Sequence, residues 1–438
     1  MQEVEILLGR QAVEELDLEA LEIAVRQQVL RLAGQAVAQR LNQDTSDEQG
    51  TPILCDCGKE ACFAGRRTKQ VQSVLGWLRL ERAYYYCPSC GHGFCPRDRQ
   101  LGIEGGSLSP ALTRMVGTVG ALVSFQEGSE LLRELAGMAV DAKQIERTAE
   151  ALGKEIAEDE RLHTEASDAG TLPQTLYLGM DGTGIPLRAE ELVGRAGKQD
   201  DGSAKTGEVK LCTIWSAESH DEQGIPIRDE GSVTYSAALE SAFTADIAAD
   251  RSPFAQRVWR EATRRRFGRA PRQVVLGDGA PWIWNIAEEQ FPKALQIVDR
   301  FHAQEHLSNL GKILYGPNDP RARQWAERRK QELESGKFQV LLAAIRRQIS
   351  RSDEARRCLH YFQTNRERMR YPEFQAQGFC TSTGVVEAGC KVAIGTRLKR
   401  AGMHWTVHGA NAIVALRCCK LSGRFQDYWE RRCERTAA

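Results

Sequence analysis

The spacing of apolar and polar residues divides the chain into helical and strand-rich stretches. Apolar residues recur at helical spacing over residues 15–42, which predicts a first helix that ends in polar residues. Residues 51–100 combine a hairpin centred on Gly76 with the aromatic run 84–86, which predicts a small strand-rich module. Residues 107–165 return to helical spacing.

Two short helices around a glycine-containing turn are predicted at about residues 129–152. The second begins at Ala142, after Asp141 as the N-cap residue and with Gln144 three residues later, a variant of the capping box. This pattern is typical of a helix-turn-helix, in which the second helix reads DNA. Its candidate DNA-binding residues are Lys143, Gln144 and Arg147. A plain helical hairpin is the alternative.

Strand and helix patterns alternate over residues 174–300, which predicts an α/β sheet. Two buried strands, 176–180 and 274–277, are expected to end at Asp181 and Asp278. Strand ends of such sheets bind ligands. A third carboxylate, Glu387, stands among Val, Ala and Gly residues and needs a partner if it is buried. Together the three would form a hard-oxygen site for Mg²⁺; separate caps or salt bridges are the alternative.

Residues 302–376 carry almost no strand signal and predict an all-helical block. At its start, His302 and His306 are four residues apart on one helix face, a spacing that suits a metal pair. We favour a structural pairing of Asp299 with His302.

The chain has 438 residues, 59 basic and 59 acidic, so its formal net charge is zero. This neutrality is a cancellation: residues 1–250 hold 24 basic against 41 acidic residues, and residues 251–438 hold 35 against 18. The asymmetry favours a polyanionic partner for the second half. No apolar run suggests a membrane span and no secretory leader is recognisable, so we expect a cytoplasmic protein.

Thirteen cysteines in such a chain indicate metal ligands or buried thiols more than disulfides. Cys87 and Cys90 form a C-x-x-C-G knuckle, whereas Cys55 and Cys57 form a shorter C-x-C pair. These four residues are candidate ligands of a structural Zn²⁺, with Cys62 or Cys95 as substitutes. Residues 51–100 hold eight basic and four acidic residues, which favours a module that faces DNA.

Together these motifs resemble the DDE transposases of bacterial insertion sequences, specifically the ISKra type, over about residues 51–432. The stretches that carry the resemblance are 180–186 (MDGTGIP), 207–211 (GEVKL), 276–284 (LGDGAPWIW), 298–303 (VDRFHA), 384–391 (GVVEAGCK), 397–400 (RLKR), 402–405 (GMHW) and 409–413 (GANAI).

The resemblance implies an RNase H-like catalytic core with an all-α insertion. It also implies that Asp181, Asp278 and Glu387 are a catalytic triad that binds two Mg²⁺ or Mn²⁺ ions, with Asp299 and His302 in support. Arg397, Lys399 and Arg400 are then expected to contact DNA. The implied domains are an N-terminal helical region (1–50), a Cys-rich zinc-ribbon-like module (51–104), a helix-turn-helix-like region (105–170), the first part of the core (171–301), the insertion (302–378) and the C-terminal helices of the core (379–438).

For function, the resemblance implies metal-dependent cleavage and strand transfer of insertion-sequence ends. The expected partners are double-stranded DNA, as terminal inverted repeats and target, and a second copy of the chain in a dimer or larger synaptic assembly. We expect a bacterial, nucleoid-associated protein that no membrane holds. Two alternatives stay open: a catalytically silent DNA-binding regulator derived from a transposase, and a structure-specific nuclease on the same fold.

Overall fold

A computed structural model describes residues 17–48, 50, 52–164, 170–194, 199, 204–222, 224–241, 252–382 and 384–437. The chain divides into two compact units, one of residues 1–149 with 426–438 and one of residues 150–425. The first two residues of the helix predicted over 15–42 lie outside the described part.

The first unit begins with a long helix that is followed by a four-stranded antiparallel sheet. Asp17 caps the helix through a hydrogen bond from the Glu19 N–H (3.1 Å), and residues 74 and 75 form the tight turn before Gly76 that joins the two long strands. The predicted hairpin is therefore confirmed. The elements are α1 (Leu18–Gln43), β1 (Ile53–Leu54), β2 (Glu60–Ser73), β3 (Gly76–Tyr86), β4 (Gly93–Phe94) and α2 (Pro96–Gln100).

Three more helices follow: α3 (Pro110–Leu122), α4 (Phe125–Ala136) and α5 (Ala142–Leu162), the last of which continues into the second unit. Gly137 ends α4 in a left-handed conformation (φ 68°), and the Asp141 carboxylate accepts a hydrogen bond from the Gln144 N–H (2.9 Å). Two helices around a glycine turn are thus present where the sequence predicts them, each longer than expected.

The second unit is built on a five-stranded mixed sheet. Its strands are β5 (Thr175–Pro186), β6 (Thr206–Ser216), β9 (Thr234–Ala238), β10 (Arg272–Gly277) and β11 (Leu295–Val298), in the spatial order β11-β10-β5-β6-β9. The first three strands run antiparallel to one another, whereas β10 and β11 run parallel to β5. A small hairpin, β7 (Ser219–His220) with β8 (Pro226–Ile227), interrupts the series.

Helices cover this sheet and share its apolar core. Those of the second unit are α6 (Pro253–Arg264), α7 (Pro281–Gln290), α8 (Arg300–Tyr315), α9 (Pro320–Glu334), α10 (Phe338–Arg346), α11 (Asp353–Thr364), α12 (Tyr371–Ala376), α13 (Gly384–Gly389), α14 (Thr396–Leu398) and α15 (Val407–Leu421), of which α6 to α13 contribute buried side chains to this core. The last helix, α16 (Phe425–Ala437), belongs almost wholly to the first unit. The expected mixed α/β class is confirmed. Helices alone fill residues 302–376, as predicted, and no described helix has the length and apolar character to cross a membrane.

Candidate active site and cysteine cluster

The sheet brings Asp181 and Asp278 to the same place on adjacent strands. The parallel pairing of β5 with β10 runs as far as Gly179 beside Leu276, and each aspartate stands two residues further on. Burial raises the pKa of Asp181, and the charge of Asp278 raises it further. The two carboxylates therefore lie close enough to repel each other.

One detail of the sequence prediction is wrong, because β5 does not end at Asp181. The strand continues to Pro186, which pairs with Thr206 of β6, while its pairing with β10 stops at Gly179. The glycines of the Asp-Gly-Thr-Gly run do not break the strand because the antiparallel neighbour continues to satisfy its backbone. Asp181 therefore lies beyond the end of the β5–β10 pairing but within the β5–β6 pairing.

A side chain from the helical block supports the turn after β10. The Tyr361 hydroxyl donates a hydrogen bond to the backbone carbonyl of Asp278 (2.7 Å), and the Asp278 carboxylate accepts one from the Ala280 N–H (2.8 Å). Gly279 has φ +104°, and a Cβ at this position would lie 2.4 Å from the Tyr361 ring. The sequence gives no sign of this role, because Tyr361 occupies an ordinary position in an amphipathic helix.

The helix that carries Glu387 rests directly on the sheet. A Cβ at Gly179 would lie 2.2 Å from Val386 Cγ2, and one at Gly389 would lie 3.0 Å from both Leu211 and Tyr235. Only glycine allows this close approach of helix to strand. Glu387 itself is exposed.

Cys390 links this helix to the first aspartate. It begins a π-helical turn, Cys390–Gly395, of the kind that often marks functional sites. Its thiol donates a hydrogen bond to Asp181 Oδ2 (3.3 Å). Burial raises the pKa of Cys390, and the negative charges of Asp181 and Glu387 also raise it, so both carboxylates act on one thiol. The thiol therefore stays protonated and remains a donor.

The three carboxylates have no cationic partner in the part of the chain that the structure describes. Among the described residues, no Lys or Arg lies within ion-pair distance of Asp181, Asp278 or Glu387. Lys399 instead donates to the Thr183 hydroxyl, two residues from Asp181. Carboxylates without a protein cation suit a hard divalent ion. The three carboxylates lie farther apart than the sulfur atoms of the four cysteines described below. Those cysteines form the sole cluster of three or more metal-ligand atoms in the described part of the chain.

Asp299 and His302 lie beside this site. The buried Asp299 carboxylate caps α8 by accepting from the His302 backbone N–H (2.9 Å), a contact that does not involve the imidazole, so the pairing of the two side chains stays a prediction. The His302 ring contacts His306 (5.0 Å between centroids), and His306 packs on Tyr361 (4.2 Å). Burial lowers the pKa of His306, and the charge of His302 lowers it further.

Four cysteines meet in the first unit at two glycine turns. The N–H of Gly58 donates to the Cys55 carbonyl (2.8 Å) and that of Gly91 to the Cys87 carbonyl (2.9 Å). The Cys55 and Cys90 sulfurs are 3.7 Å apart, as are those of Cys57 and Cys87, and all four lie within 4.8 Å of one another.

This geometry fits a tetrahedral metal ion. Four thiolates at about 2.3 Å from zinc stand about 3.8 Å from one another. Burial raises the pKa of Cys87, but hydrogen bonds from the backbone N–H groups of Cys90 and Ser89 outweigh it and lower the pKa to about 7. The cluster can therefore hold a metal such as zinc. Cys62, on β2, and Cys95 lie outside it.

The predicted DNA-binding residues fall into two groups. Exposed Lys143 pairs with Glu146 (2.7 Å), Gln144 hydrogen-bonds to the Ser107 hydroxyl (3.2 Å), and Arg147 is exposed. Lys399 and Arg400 are exposed in the second unit. Arg397 is different, because it is fully buried beneath the Trp405 ring (5.2 Å). Its side chain packs the interior and is not presented to a DNA backbone, contrary to the expectation.

Comparisons with known proteins give limited matches. Residues 263–432 match an uncharacterised protein family (UPF0236), a range that includes Asp278 and Glu387 but not Asp181. No curated protein matches. Four chains of solved structures match, among them one from the Drosophila P element transposase strand transfer complex, with 9% sequence identity, 76% of this chain and 83% of that chain covered, and a TM-score of 0.26. A superposition this loose assigns no fold.

Proposed function

We propose that the chain is a DDE-type DNA transposase of the ISKra type, which cleaves insertion-sequence ends and transfers them to target DNA. The observation that carries the proposal is the meeting of two aspartates on adjacent strands. Asp181 and Asp278 follow the last paired residues of β5 and β10, and the helix with Glu387 rests on the same strand, β5.

The order of the sheet supports an RNase H-like core. Three consecutive antiparallel strands followed by two parallel ones is the arrangement expected of that fold, with Asp181 on the central strand, β5, and Asp278 directly after its neighbour, β10. Five helices from α8 to α12 stand between the strand of Asp278 and the helix of Glu387, in the place of the proposed insertion. We keep the domain boundaries of the sequence prediction as part of this proposal.

Asp181, Asp278 and Glu387 would hold two Mg²⁺ or Mn²⁺ ions. Such ions supply an activated water or 3′-hydroxyl and stabilise the leaving oxygen of a phosphodiester. The protein's own part is to hold the carboxylates in place: the Cys390 thiol fixes Asp181, and Tyr361 and Gly279 fix the turn of Asp278. Asp299 and His302 support the same end of the sheet.

In this proposal the first unit binds the ends of the element. Zinc on Cys55, Cys57, Cys87 and Cys90 would fix the strand-rich module, and α5 would present Lys143, Gln144 and Arg147 to the major groove. Lys399 and Arg400 would contact phosphates near the triad. Two chains would act together on two ends, in a bacterial nucleoid.

Cleavage of the DNA that flanks the gene tests the triad. Labelled duplexes of both flanks are incubated with the full chain and Mg²⁺ or Mn²⁺, with EDTA as the metal-free control. We expect Asp181→Asn, Asp278→Asn and Glu387→Gln each to abolish cleavage while end binding persists. Asp353→Asn and Glu367→Gln remove exposed carboxylates from the helical block and should cleave normally. Normal cleavage by any triad variant would overturn the assignment.

The same assay separates the alternatives. Cut ends that are not joined to a target duplex would indicate a nuclease. Binding of the flanks with no cleavage under any metal would indicate a regulator. Metal binding gives an independent readout, since calorimetric titration of Mn²⁺ should lose its signal in Asp181→Asn but keep it in Asp353→Asn.

A further inference from the structure

The second unit contains a cationic cavity that the proposed active site does not use. Three helices, α5, α6 and α15, enclose about 260 Å³. Where α5 crosses α15 the backbones nearly touch, because a Cβ at Gly153 would lie 2.0 Å from the Ala412 carbonyl. Ala157, Ala412 and Ala415 also line the cavity and leave its centre open. The space is thus a consequence of the packing of small residues.

Positive side chains outnumber negative ones in the described lining of the cavity. Lys154 and Arg161 of α5 and Arg257 and Arg260 of α6 face one carboxylate, Glu240. Arg257 already binds both oxygens of Glu240 through Nε (2.9 Å) and Nη2 (2.7 Å). Glu240 therefore neutralises one of the four cations, and among the described residues no other carboxylate lines the cavity to balance the remaining three.

Arg260 is the residue that most clearly lacks an anion. It is half-buried and makes no hydrogen bond or ion pair with any described residue. Burial lowers its pKa, and the positive charges of Arg257, Arg264 and Arg161 lower it further, while Glu240 opposes them. A guanidinium in this position is stabilised by an anion that enters the cavity.

We propose that this cavity binds a phosphate group of the DNA backbone, held by Arg260, Arg161 and Lys154. The identification of DNA as the source rests on the proposed function. A backbone phosphate fits better than a free nucleotide, because the described residues of the lining include no Phe, Tyr or Trp on which a base could stack. Lys154, Arg161 and His408 are exposed at the rim, so a phosphate on an extended strand can reach the interior.

Salt dependence of duplex binding tests this site in the full-length chain. A labelled duplex from the gene's flank is titrated by fluorescence anisotropy over a range of salt concentrations. Each phosphate contact contributes about −0.9 to the slope of log affinity against log salt. We expect Arg260→Gln and Lys154→Gln each to weaken binding several-fold and to reduce the slope, by at most about 0.9 because the two side chains hold the same phosphate. Lys154 is exposed, so its replacement leaves the packing of the fold intact.

Arg228→Gln is the matched control, because it removes an equal charge from an exposed position outside the cavity. It should keep the wild-type slope. A slope equal to wild type in both cavity variants would overturn the proposal. So would binding of pyrophosphate or ATP that is lost in Arg260→Gln while duplex binding is unchanged, since the cavity would then serve a small anion.

The cleavage assay and the salt slopes distinguish failure of the phosphate site from failure of the proposed function. If wild-type chain cleaves the flanks but the cavity variants keep its slope, the triad stands and the phosphate site falls. If no metal supports cleavage yet the slopes differ as expected, the phosphate site stands and the transposase proposal falls.

Discussion

Glu261 shows how this chain keeps a charge in its interior. Its side chain is fully buried on α6, where Arg424 contacts both carboxylate oxygens (2.9 and 3.0 Å) and Arg264 contacts one (2.6 Å). Burial raises the pKa of Glu261, but the charges of Arg424 and Arg264 outweigh it and lower the pKa to about 2. Arg424 also binds Glu160 (3.1 Å), so two acids and two bases form one buried network.

Replacement of Glu261 by Gln should strongly destabilise the second unit. The change leaves Arg424 and Arg264 short of a counter-charge, and the loss of one partner from a buried pair costs about 3–5 kcal/mol. We expect that decrease in the free energy of unfolding in urea at pH 7. Glu367→Gln removes an exposed carboxylate and should change it by less than about 0.5 kcal/mol.

The same pair predicts a pH dependence. Because the folded pKa of Glu261 is about 2 and its ordinary value is 4.5, its stabilisation is complete above about pH 4.5 and is lost as the pH falls toward 2. The loss amounts to about 3 kcal/mol. Glu261→Gln should lack this part of the acid transition. Parallel curves for the two proteins between pH 5 and pH 3 would contradict the assignment.

Single residues differ in how far the sequence reveals them. Asp181, Asp278 and Glu387 could be selected because glycines and buried strands surround them in recognisable patterns. Tyr361 and Cys390 could not, because a tyrosine in an amphipathic helix and a cysteine after a glycine acquire their partners only through long-range packing. Arg397 is a similar case, since the basic residues two and three positions later, Lys399 and Arg400, are exposed while its own side chain turns inward under Trp405.

At the scale of elements, the close contact between α13 and β5 positions the proposed site. The helix carries Glu387 and is followed by Cys390, whose thiol reaches Asp181, and it can approach the strand only because position 179 lacks a side chain. The sequence shows a glycine inside a strand but not which helix approaches it. It likewise predicts the strand but not its extension to Pro186, which depends on pairing with β6.

Gly179→Ala should therefore separate the helix from the strand. The new methyl group would lie 2.2 Å from Val386 Cγ2, so α13 must move, and such overpacking costs about 1–3 kcal/mol. We expect a lower unfolding temperature together with a loss of metal-dependent cleavage. Gly268→Ala is the control, because a Cβ there has no atom within 4 Å. Full cleavage by Gly179→Ala would show that the position of Glu387 does not depend on this contact.

At the scale of the whole molecule, the candidate sites are divided between the two units. The cysteine cluster belongs to residues 1–149, whereas the three carboxylates and the cationic cavity belong to residues 150–425. The charge asymmetry follows a different boundary, because the acidic residues 1–250 and the basic residues 251–438 meet inside the second unit. The sequence reveals the charge asymmetry by position, but the cavity required the structure, since its cations come from two helices about 100 residues apart.

This division predicts that the cysteine cluster and the proposed carboxylate site lose their metal ions independently of each other. Purified chain should contain one zinc per molecule by elemental analysis, and Cys87→Ser or Cys90→Ser should abolish it, because three thiolates leave the tetrahedron open. Cys62→Ser is the matched control, since that exposed thiol lies on β2 outside the cluster and its loss should leave the zinc content at one. Loss of zinc should lower the temperature at which the first unit unfolds in differential scanning calorimetry, because structural zinc contributes folding free energy directly. Mn²⁺ binding by the carboxylates of the second unit should persist in Cys87→Ser. Zinc retained by both cysteine variants, or lost in Cys62→Ser, would refute the four-cysteine ligand set.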